Sequence, residues 1–297
     1  MFPAQFEYHR ATSVKEALAL LKQYGDDARI LAGGHSLLPM MTLRLAQPAH
    51  VVDIGRIDEL RAITENGGTI TIGAMATHDQ IANDPLVRRE VGLLAECAAA
   101  IGDVQVRNRG TIGGSLAHAD PAADYPAAML ALEAELRLES ESGARQVKAE
   151  DFFVDLMTTA AHPGEILTQI TISSIPEKAG YSYLKHRHPA SGFATIGIAV
   201  LVAFDAAGNC QCVRAGITGL GAKAFRATSV EATLKGKPAD PQTIDRAASH
   251  AADGVDPLAD IYASPEFRAE LARVFTRRAL TAAAKTDTKI MSVNDVL

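Results

Sequence analysis

The chain has 297 residues, 47% of them hydrophobic and 22% charged; at roughly 150 residues per domain this is material for two domains, with core enough to need no disulfide or metal staple and too little charge for a disordered tail. Lysine and arginine total 29 against 35 aspartates and glutamates, a formal net charge of −6. With no long basic run, that balance argues against nucleic acid and against an anionic membrane as partners.

The first unit opens with a helix. Ser13-Val14-Lys15-Glu16 is a capping-box pattern, in which the serine accepts an orphan amide and the glutamate reaches back. Ala17, Leu18, Leu20 and Leu21 supply the apolar stripe, and Gly25 is the stop. Ala28 to Ala32 reads as a buried strand running straight into Gly33-Gly34-His35-Ser36; Leu37 to Leu43 starts a short helix, and Val51 to Ile54 is a second strand. A second unit begins near Ile57. Gly67-Gly68 turns into the alternating strand Thr69 to Ile72, Thr77 caps a helix to about Ala82, and Pro85 to Ile101 reads as one helix. Gly102 to Asp124 is glycine-rich and reads as irregular, Tyr125 to Leu132 as helix, Glu135 to Leu138 and Gln146 to Lys148 as a hairpin through Ser142-Gly143, and Ile166 to Ile175 as a strand ended by Pro176. The third unit starts around Gly180. Phe193 to Phe204 and Cys210 to Thr218 form an antiparallel pair across Asp205-Ala206-Ala207-Gly208-Asn209, and helices follow at Ser229–Leu234, Pro241 to about Ala252 and Pro265–Ala284. Strands followed by helices make this last unit α+β. The boundary falls at about residue 177, with a division near 55 inside the first part.

Cys97, Cys210 and Cys212 are an odd number of thiols, as in a reducing compartment. Cys210 and Cys212, two apart on one strand, are expected to share a face. The N-terminus has an early acid and no apolar leader, and the longest charge-free apolar run, about Phe193 to Phe204, falls well short of the ~20 residues of a spanning helix. A soluble, cytoplasmic chain is therefore expected. Nucleophile-elbow, zincin, C-x-x-C, Walker and G-x-G-x-x-G patterns are all missing. His186-Arg187-His188 has no companion ligands at metal spacing, so no metal is expected on this chain, and His118, Asp120 and Asp124 read as turn and capping residues around Pro121. Two glycine pairs stand out: Ala32-Gly33-Gly34-His35-Ser36 after a strand, and Gly110-Thr111-Ile112-Gly113-Gly114-Ser115 after a helix. A loop without Cβ atoms lets several amides face one anion, and a following helix adds its dipole. Taken singly, each is first a tight turn; facing each other, the two make an anion or nucleotide site in a soluble α/β protein. The residues alone lead no further.

Their combination does. Ala32-Gly33-Gly34-His35-Ser36-Leu37-Leu38-Pro39-Met40, then Arg107-Asn108-Arg109-Gly110-Thr111-Ile112-Gly113-Gly114-Ser115, then Tyr183-Leu184-Lys185-His186-Arg187-His188-Pro189-Ala190-Ser191-Gly192-Phe193-Ala194 resembles the FAD-binding medium subunit of bacterial molybdenum hydroxylases, a family that includes the medium subunit of aerobic carbon monoxide dehydrogenase. The resemblance covers essentially the whole chain. It implies an α+β protein: a two-part FAD-binding domain of the vanillyl-alcohol-oxidase type over residues 1–176 (subdomains about 1–55 and 56–176), and a smaller C-terminal domain over 177–297 with an antiparallel sheet and helices. It assigns the FAD pyrophosphate to the first loop (Ala32, Gly33, Gly34, His35, Ser36, with Leu37 beside it) and the second (Thr111, Ile112, Gly113, Gly114, Ser115). Ile101 matches a position by the adenine, Asp124 an acid bonding ribityl or ribose hydroxyls, Leu167 a strand contact of the flavin, and Lys185 a lysine at the polar edge of the isoalloxazine. Phe193 matches a position often held by tyrosine, where the ring lies by the flavin; phenylalanine keeps the shield and loses the hydroxyl.

The resemblance further implies an electron-transfer subunit of an oxidoreductase. A large subunit would carry the molybdenum cofactor and a small one two [2Fe–2S] clusters, in a dimer of heterotrimers. Electrons would leave through FAD to an acceptor such as a quinone, and the complex would associate peripherally, if at all, with a membrane. Three cysteines are too few for a cluster on this chain. Two other readings stand beside it: a stand-alone flavin oxidoreductase on the same scaffold, with His35 or His118 as covalent anchor, and a structural subunit without cofactor, against which the intact glycine pairs argue.

Overall fold

The computed structural model describes residues 2–176 and 178–285. Residue 177, where the sequence places the domain boundary, and 286–297, the end of the expected C-terminal domain, lie outside the described residues.

Three strands near the N-terminus form a parallel sheet. β1 (Glu7–Arg10), α1 (Val14–Tyr24), β2 (Ala28–Leu31), α2 (Leu37–Thr42) and β3 (His50–Asp53) follow in order, and the sheet order is β1-β3-β2. β1 escapes the sequence reading because it is an edge strand of polar, largely exposed residues with no apolar alternation. The Ser13 hydroxyl accepts from the Glu16 amide at 3.2 Å, while the Glu16 carboxylate reaches past it to the Thr12 amide at 2.7 Å. Val14, Ala17, Leu18 and Leu21 then bury against Val52 and Ile54 in a small core of their own.

The middle of the chain is built on a five-stranded antiparallel sheet. β4 (Ile63–Asn66) and β5 (Thr69–Gly73) lead into α3 (His78–Asn83), α4 (Pro85–Glu90), α5 (Gly92–Ala100), α6 (Val104–Arg109), α7 (Ile112–His118) and α8 (Tyr125–Ala131). After these come β6 (Glu135–Ser140), β7 (Gly143–Lys148), the single turn α9 (Ala149–Phe152), the short pair β8 (Phe153–Asp155) and β9 (Thr158–Thr159), and β10 (Ile166–Ser173). The sheet order is β4-β5-β10-β6-β7. Two expectations are corrected here. The helix read over Pro85–Ile101 breaks at Val91 (φ −140°, ψ 50°), where the Glu90 carbonyl accepts the Ile175 amide at 2.8 Å and Gly92, lacking a Cβ, leaves room for the Tyr181 hydroxyl. The stretch read as irregular contains α6 and α7. Asp103 and Thr111 cap them, accepting the amides of Val106 at 2.8 Å and Gly114 at 3.1 Å, and such caps offset the poor helix propensity of glycine.

β11 (Ala179–Arg187), β12 (Ala194–Phe204), β13 (Cys210–Thr218) and β14 (Phe225–Arg226) make a four-stranded antiparallel sheet in that order, followed by α10 (Thr228–Leu234), α11 (Pro241–Ala248) and α12 (Pro265–Ala284). Both faces of this sheet are covered, so β12 reads as one apolar run rather than an alternation. Ile196, Ile198, Val200 and Val202 face the last helices, while Ala199 and Leu201 join the middle core with Tyr183. Cys210 and Cys212 do not share a face. A register shift opposite Ala203 and Phe204 puts two steps of β13 against one of β12, so Cys210 is buried with the helices while Cys212 turns to the other side beside Arg214.

Candidate functional site

The parallel sheet and the antiparallel domain meet along a cleft of about 1320 Å³, larger than the roughly 300–1,000 Å³ of a drug-sized pocket. β2 delivers the loop Gly33–Ser36 to one wall; Thr111 and α7 supply the other. The two loops touch. A Cβ on Gly33 would stand 2.2 Å from the Arg109 carbonyl oxygen, so only glycine permits the approach. Gly34 has φ +79°, the left-handed region that glycine occupies without strain.

The loops are not chemically alike. Among the described residues, the amides of Gly33, Gly34, His35 and Ser36 donate to no acceptor in the chain, and the Ser36 hydroxyl leaves the start of α2 uncapped. The second loop spends its amides internally: Ile112 on Ala76 at 3.0 Å, Gly113 on Ala74 at 2.8 Å, Gly114 on the Thr111 hydroxyl and Ser115 on the Thr111 carbonyl at 3.0 Å. What it offers is space and a hydroxyl. A Cβ on Gly114 would meet only Thr111 Oγ1 at 2.9 Å and Ala32 Cβ at 3.7 Å, and Ser115 lines the cleft. The expectation of two equivalent amide cradles thus becomes one cradle facing a smooth wall.

Fourteen of the sixteen residues singled out from the sequence line this one cleft: Ala32, Gly33, Gly34, His35, Ser36, Leu37, Ile101, Thr111, Gly113, Gly114, Ser115, Asp124, Leu167 and Phe193. Ile112 does not; its place after the Thr111 cap turns its side chain into the core, where it is fully buried. Lys185 does not either. It lies beneath the cleft, 4% exposed, with its ammonium 2.8 and 3.0 Å from the two oxygens of Asp124 and 2.9 Å from the Gly192 carbonyl. The Tyr183 hydroxyl donates to Asp124 at 2.6 Å. Burial pushes the Asp124 carboxyl up, and Lys185 and Tyr183 oppose this. What the cleft meets here is a neutral ion pair, not a free cation.

The sequence reading missed the lining residues His78, Lys22 and Glu141, and Glu96 outside the cleft. His78 is buried with Nδ1 3.1 Å from the Tyr125 hydroxyl, and burial, with the charges of His35 and Arg107, lowers it to about 4. Lys22 and Glu141, 2.5 Å apart, join α1 to the β6–β7 turn across the cleft; 119 residues of separation hide such a pair from any local pattern. Glu96, raised to about 7 by burial against an opposing bond from the Tyr183 amide at 2.9 Å, lies where α5 meets β11. Its signal is a lone acid among Leu93, Leu94, Cys97 and Ala98. His35 and His118 both line the cleft.

A long cleft with four unpartnered amides beside a space no side chain fills suits a dinucleotide with a pyrophosphate. Comparison with known proteins agrees. Residues 4–175 match the family model of the FAD binding domain in molybdopterin dehydrogenase, and residues 180–283 that of the CO dehydrogenase flavoprotein C-terminal domain. The chain is 40% identical to the carbon monoxide dehydrogenase medium chain of Hydrogenophaga pseudoflava, over 95% of this chain and 98% of that one. It is 35% identical to the alpha subunit of the 6-hydroxypseudooxynicotine dehydrogenase complex of Paenarthrobacter nicotinovorans, over 95% and 96%. The solved carbon monoxide dehydrogenase of H. pseudoflava superposes with a TM-score of 0.92 at 42% identity, covering 95% of this chain and 98% of that one. Fold, cleft and sequence together place the chain in the family of FAD-binding medium subunits of molybdenum hydroxylases, an oxidoreductase component with an FAD-binding domain and a C-terminal α+β domain.

Proposed function

We propose that this chain is the electron-transfer subunit of a heterotrimeric molybdenum hydroxylase, receiving electrons from [2Fe–2S] clusters on a small partner subunit and passing them through FAD to an external acceptor such as a quinone. A large partner would hold the molybdenum cofactor and oxidise the substrate, and two heterotrimers would pair in the cytoplasm. The division of labour would follow the chain: the two parts of the FAD-binding domain would hold the cofactor between them, and the C-terminal domain would close one end of the cleft with Phe193. The observation that carries the reading is the row of four amides at Gly33–Ser36 without an acceptor in the chain, on a cleft that Gly114 and Ser115 also line.

FAD, when bound, supplies the two-electron and one-electron redox chemistry; position and electrostatics come from the chain. The amides of 33–36 and the hydroxyls of Ser36 and Ser115 would hold the pyrophosphate as donors, with Gly114 leaving it room. Thr111 and Gly113 fix the facing wall. Ile101 would sit by the adenine, and Leu167 and Phe193 by the flavin ring. Asp124 would accept a ribityl or ribose hydroxyl at Oδ2: a carboxylate has about four acceptor positions, and Lys185 and Tyr183 approach three, two of them on Oδ1. Lys185 acts through Asp124 as a positioning residue.

The test is electron delivery. The complex isolated with its partners should show flavin absorbance bleaching when the reduced iron–sulfur subunit is supplied, and recovering on addition of a quinone. A flavin that is reduced only by a substrate acting on this chain alone would support the stand-alone oxidoreductase instead.

A further inference from the structure

One cluster away from the cleft is built for a different ligand. Glu7 and His9 lie on one face of β1, and the parallel register sets Glu7 opposite His50 on β3. Among the described residues, this is the one place where three histidine, cysteine or carboxylate donor atoms gather within 4.8 Å of one another. His9 Nε2 is 3.1 Å from His50 Nδ1, His50 Nδ1 is 3.5 Å from Glu7 Oε2, and His9 Nε2 is 3.9 Å from the same oxygen. A triangle with these sides has a circumscribed circle of about 2.05 Å radius, which is the distance at which zinc takes imidazole nitrogen and carboxylate oxygen, roughly 2.0–2.2 Å. One point is thus equidistant, at bonding length, from all three donors.

The surroundings favour an ion there. Tyr24 stacks beneath both imidazoles, 3.7 Å from the His50 ring and 4.8 Å from that of His9, and holds them side by side. The histidine side chains are about one-fifth exposed and Glu7 is 72% exposed, so an ion has a path in and water a place as fourth ligand. Two neutral imidazoles and one carboxylate are borderline donors, suited to zinc and its neighbours rather than to calcium or magnesium.

We propose that Glu7, His9 and His50 bind one zinc-class divalent ion, which ties the edge strand β1 to β3. The proton now shared between the facing nitrogens moves to the outer nitrogen of its ring, His9 Nδ1 or His50 Nε2, and the two inner lone pairs turn onto the metal. No proton is lost when both rings start neutral. Because β3 pairs with β2, which runs into the Gly33–Ser36 loop, the ion would brace the sheet that presents the loop.

The test is equilibrium dialysis of the full-length, tag-free flavoprotein against zinc chloride at micromolar free metal, with melting temperature read in parallel. The wild type should retain one zinc per chain and melt higher with zinc than without. His50→Phe, which keeps an aromatic ring over Tyr24, should retain none. Glu7→Gln, at an exposed position that cannot unfold the chain, should weaken retention by more than the roughly tenfold that loss of even an outer-sphere partner costs. Zinc retention equal in the wild type and both variants, or none in the wild type, overturns the site.

Discussion

Gly33 and Gly114, on the two walls, show how closely the cleft is drawn. At Gly33 a Cβ meets the Arg109 carbonyl at 2.2 Å, so Gly33→Ala must push the loops apart. Such overpacking costs about 1–3 kcal/mol, and both melting temperature and FAD content should fall. At Gly114 an added Cβ presses on one side-chain atom, the Thr111 hydroxyl at 2.9 Å, and otherwise meets only Ala32 Cβ at 3.7 Å. Gly114→Val should therefore lower the melting temperature of the apoprotein less than Gly33→Ala does, by about the worth of the Thr111 cap, while FAD retention is lost. The buried pair gives a second contrast. Lys185→Met strands Asp124 at 5% exposure, a loss of about 3–5 kcal/mol. Asp124→Asn in the same chain should recover part of it, and a chemical-denaturation cycle of the four proteins reads the coupling directly. Strictly additive losses would mean that the pair does not act as a unit. The sequence had named both glycine pairs and Lys185. It could not show that the second loop's amides are spent internally, or that Asp124 neutralises the lysine, because both facts depend on partners distant in the chain.

At the level of elements, β11 joins the two halves. Its Tyr183 and Lys185 grip Asp124, its Tyr183 amide donates to Glu96 on α5, and its Arg187 donates to the carbonyls of Ala100 and Gly102 at 3.0 and 3.1 Å, fixing the end of α5 beside Ile101. Hydrogen bonds from a charged donor are worth about 1.5–3 kcal/mol, less at this exposed site, so Arg187→Ala should lower FAD affinity more than overall stability, measurable by flavin titration. Glu96 makes the junction sensitive to pH. Its carboxyl stands at about 7 in the folded chain against an ordinary 4.5. Below 4.5 it is protonated folded or unfolded and has no effect; between 4.5 and 7 the unfolded chain ionises first, and stability falls as pH rises. Above 7 the cost, on the order of 3 kcal/mol, is complete. Glu96→Gln should flatten the melting temperature across this window, and an unchanged slope would remove Glu96 as its source. β11 itself was not legible: Ala179 to Arg187 alternates too little, since both faces of its sheet are covered. β1 was too polar to read. The strands of the long antiparallel pair and the helices that follow the Ser13 and Thr77 caps were legible because their signals are local, whereas the capped α6 and α7 were hidden by the glycines in and beside them.

For the whole molecule, the fold class and the cofactor domain followed from three motifs far apart in sequence, each weak alone. The cleft explains why they work as a set: it draws fourteen of the sixteen named residues into one space although they span Ala32 to Phe193. Ile112 and Lys185 stand outside it because position along a motif does not tell which way a side chain turns. No described helix is long and apolar enough to cross a membrane. The substrate is not written in this chain, since relatives of similar identity serve carbon monoxide and 6-hydroxypseudooxynicotine dehydrogenases.

The most direct test of the central claim is a cofactor count. The chain, purified with its partner subunits, is denatured, and the released small molecules are separated by chromatography and quantified against protein. One free FAD per chain in the wild type, and none in Gly114→Val carried through the same purification, is the expected result. A wild-type complex without flavin, flavin that stays covalently on the chain, or an equal FAD content in the Gly114→Val protein would contradict it.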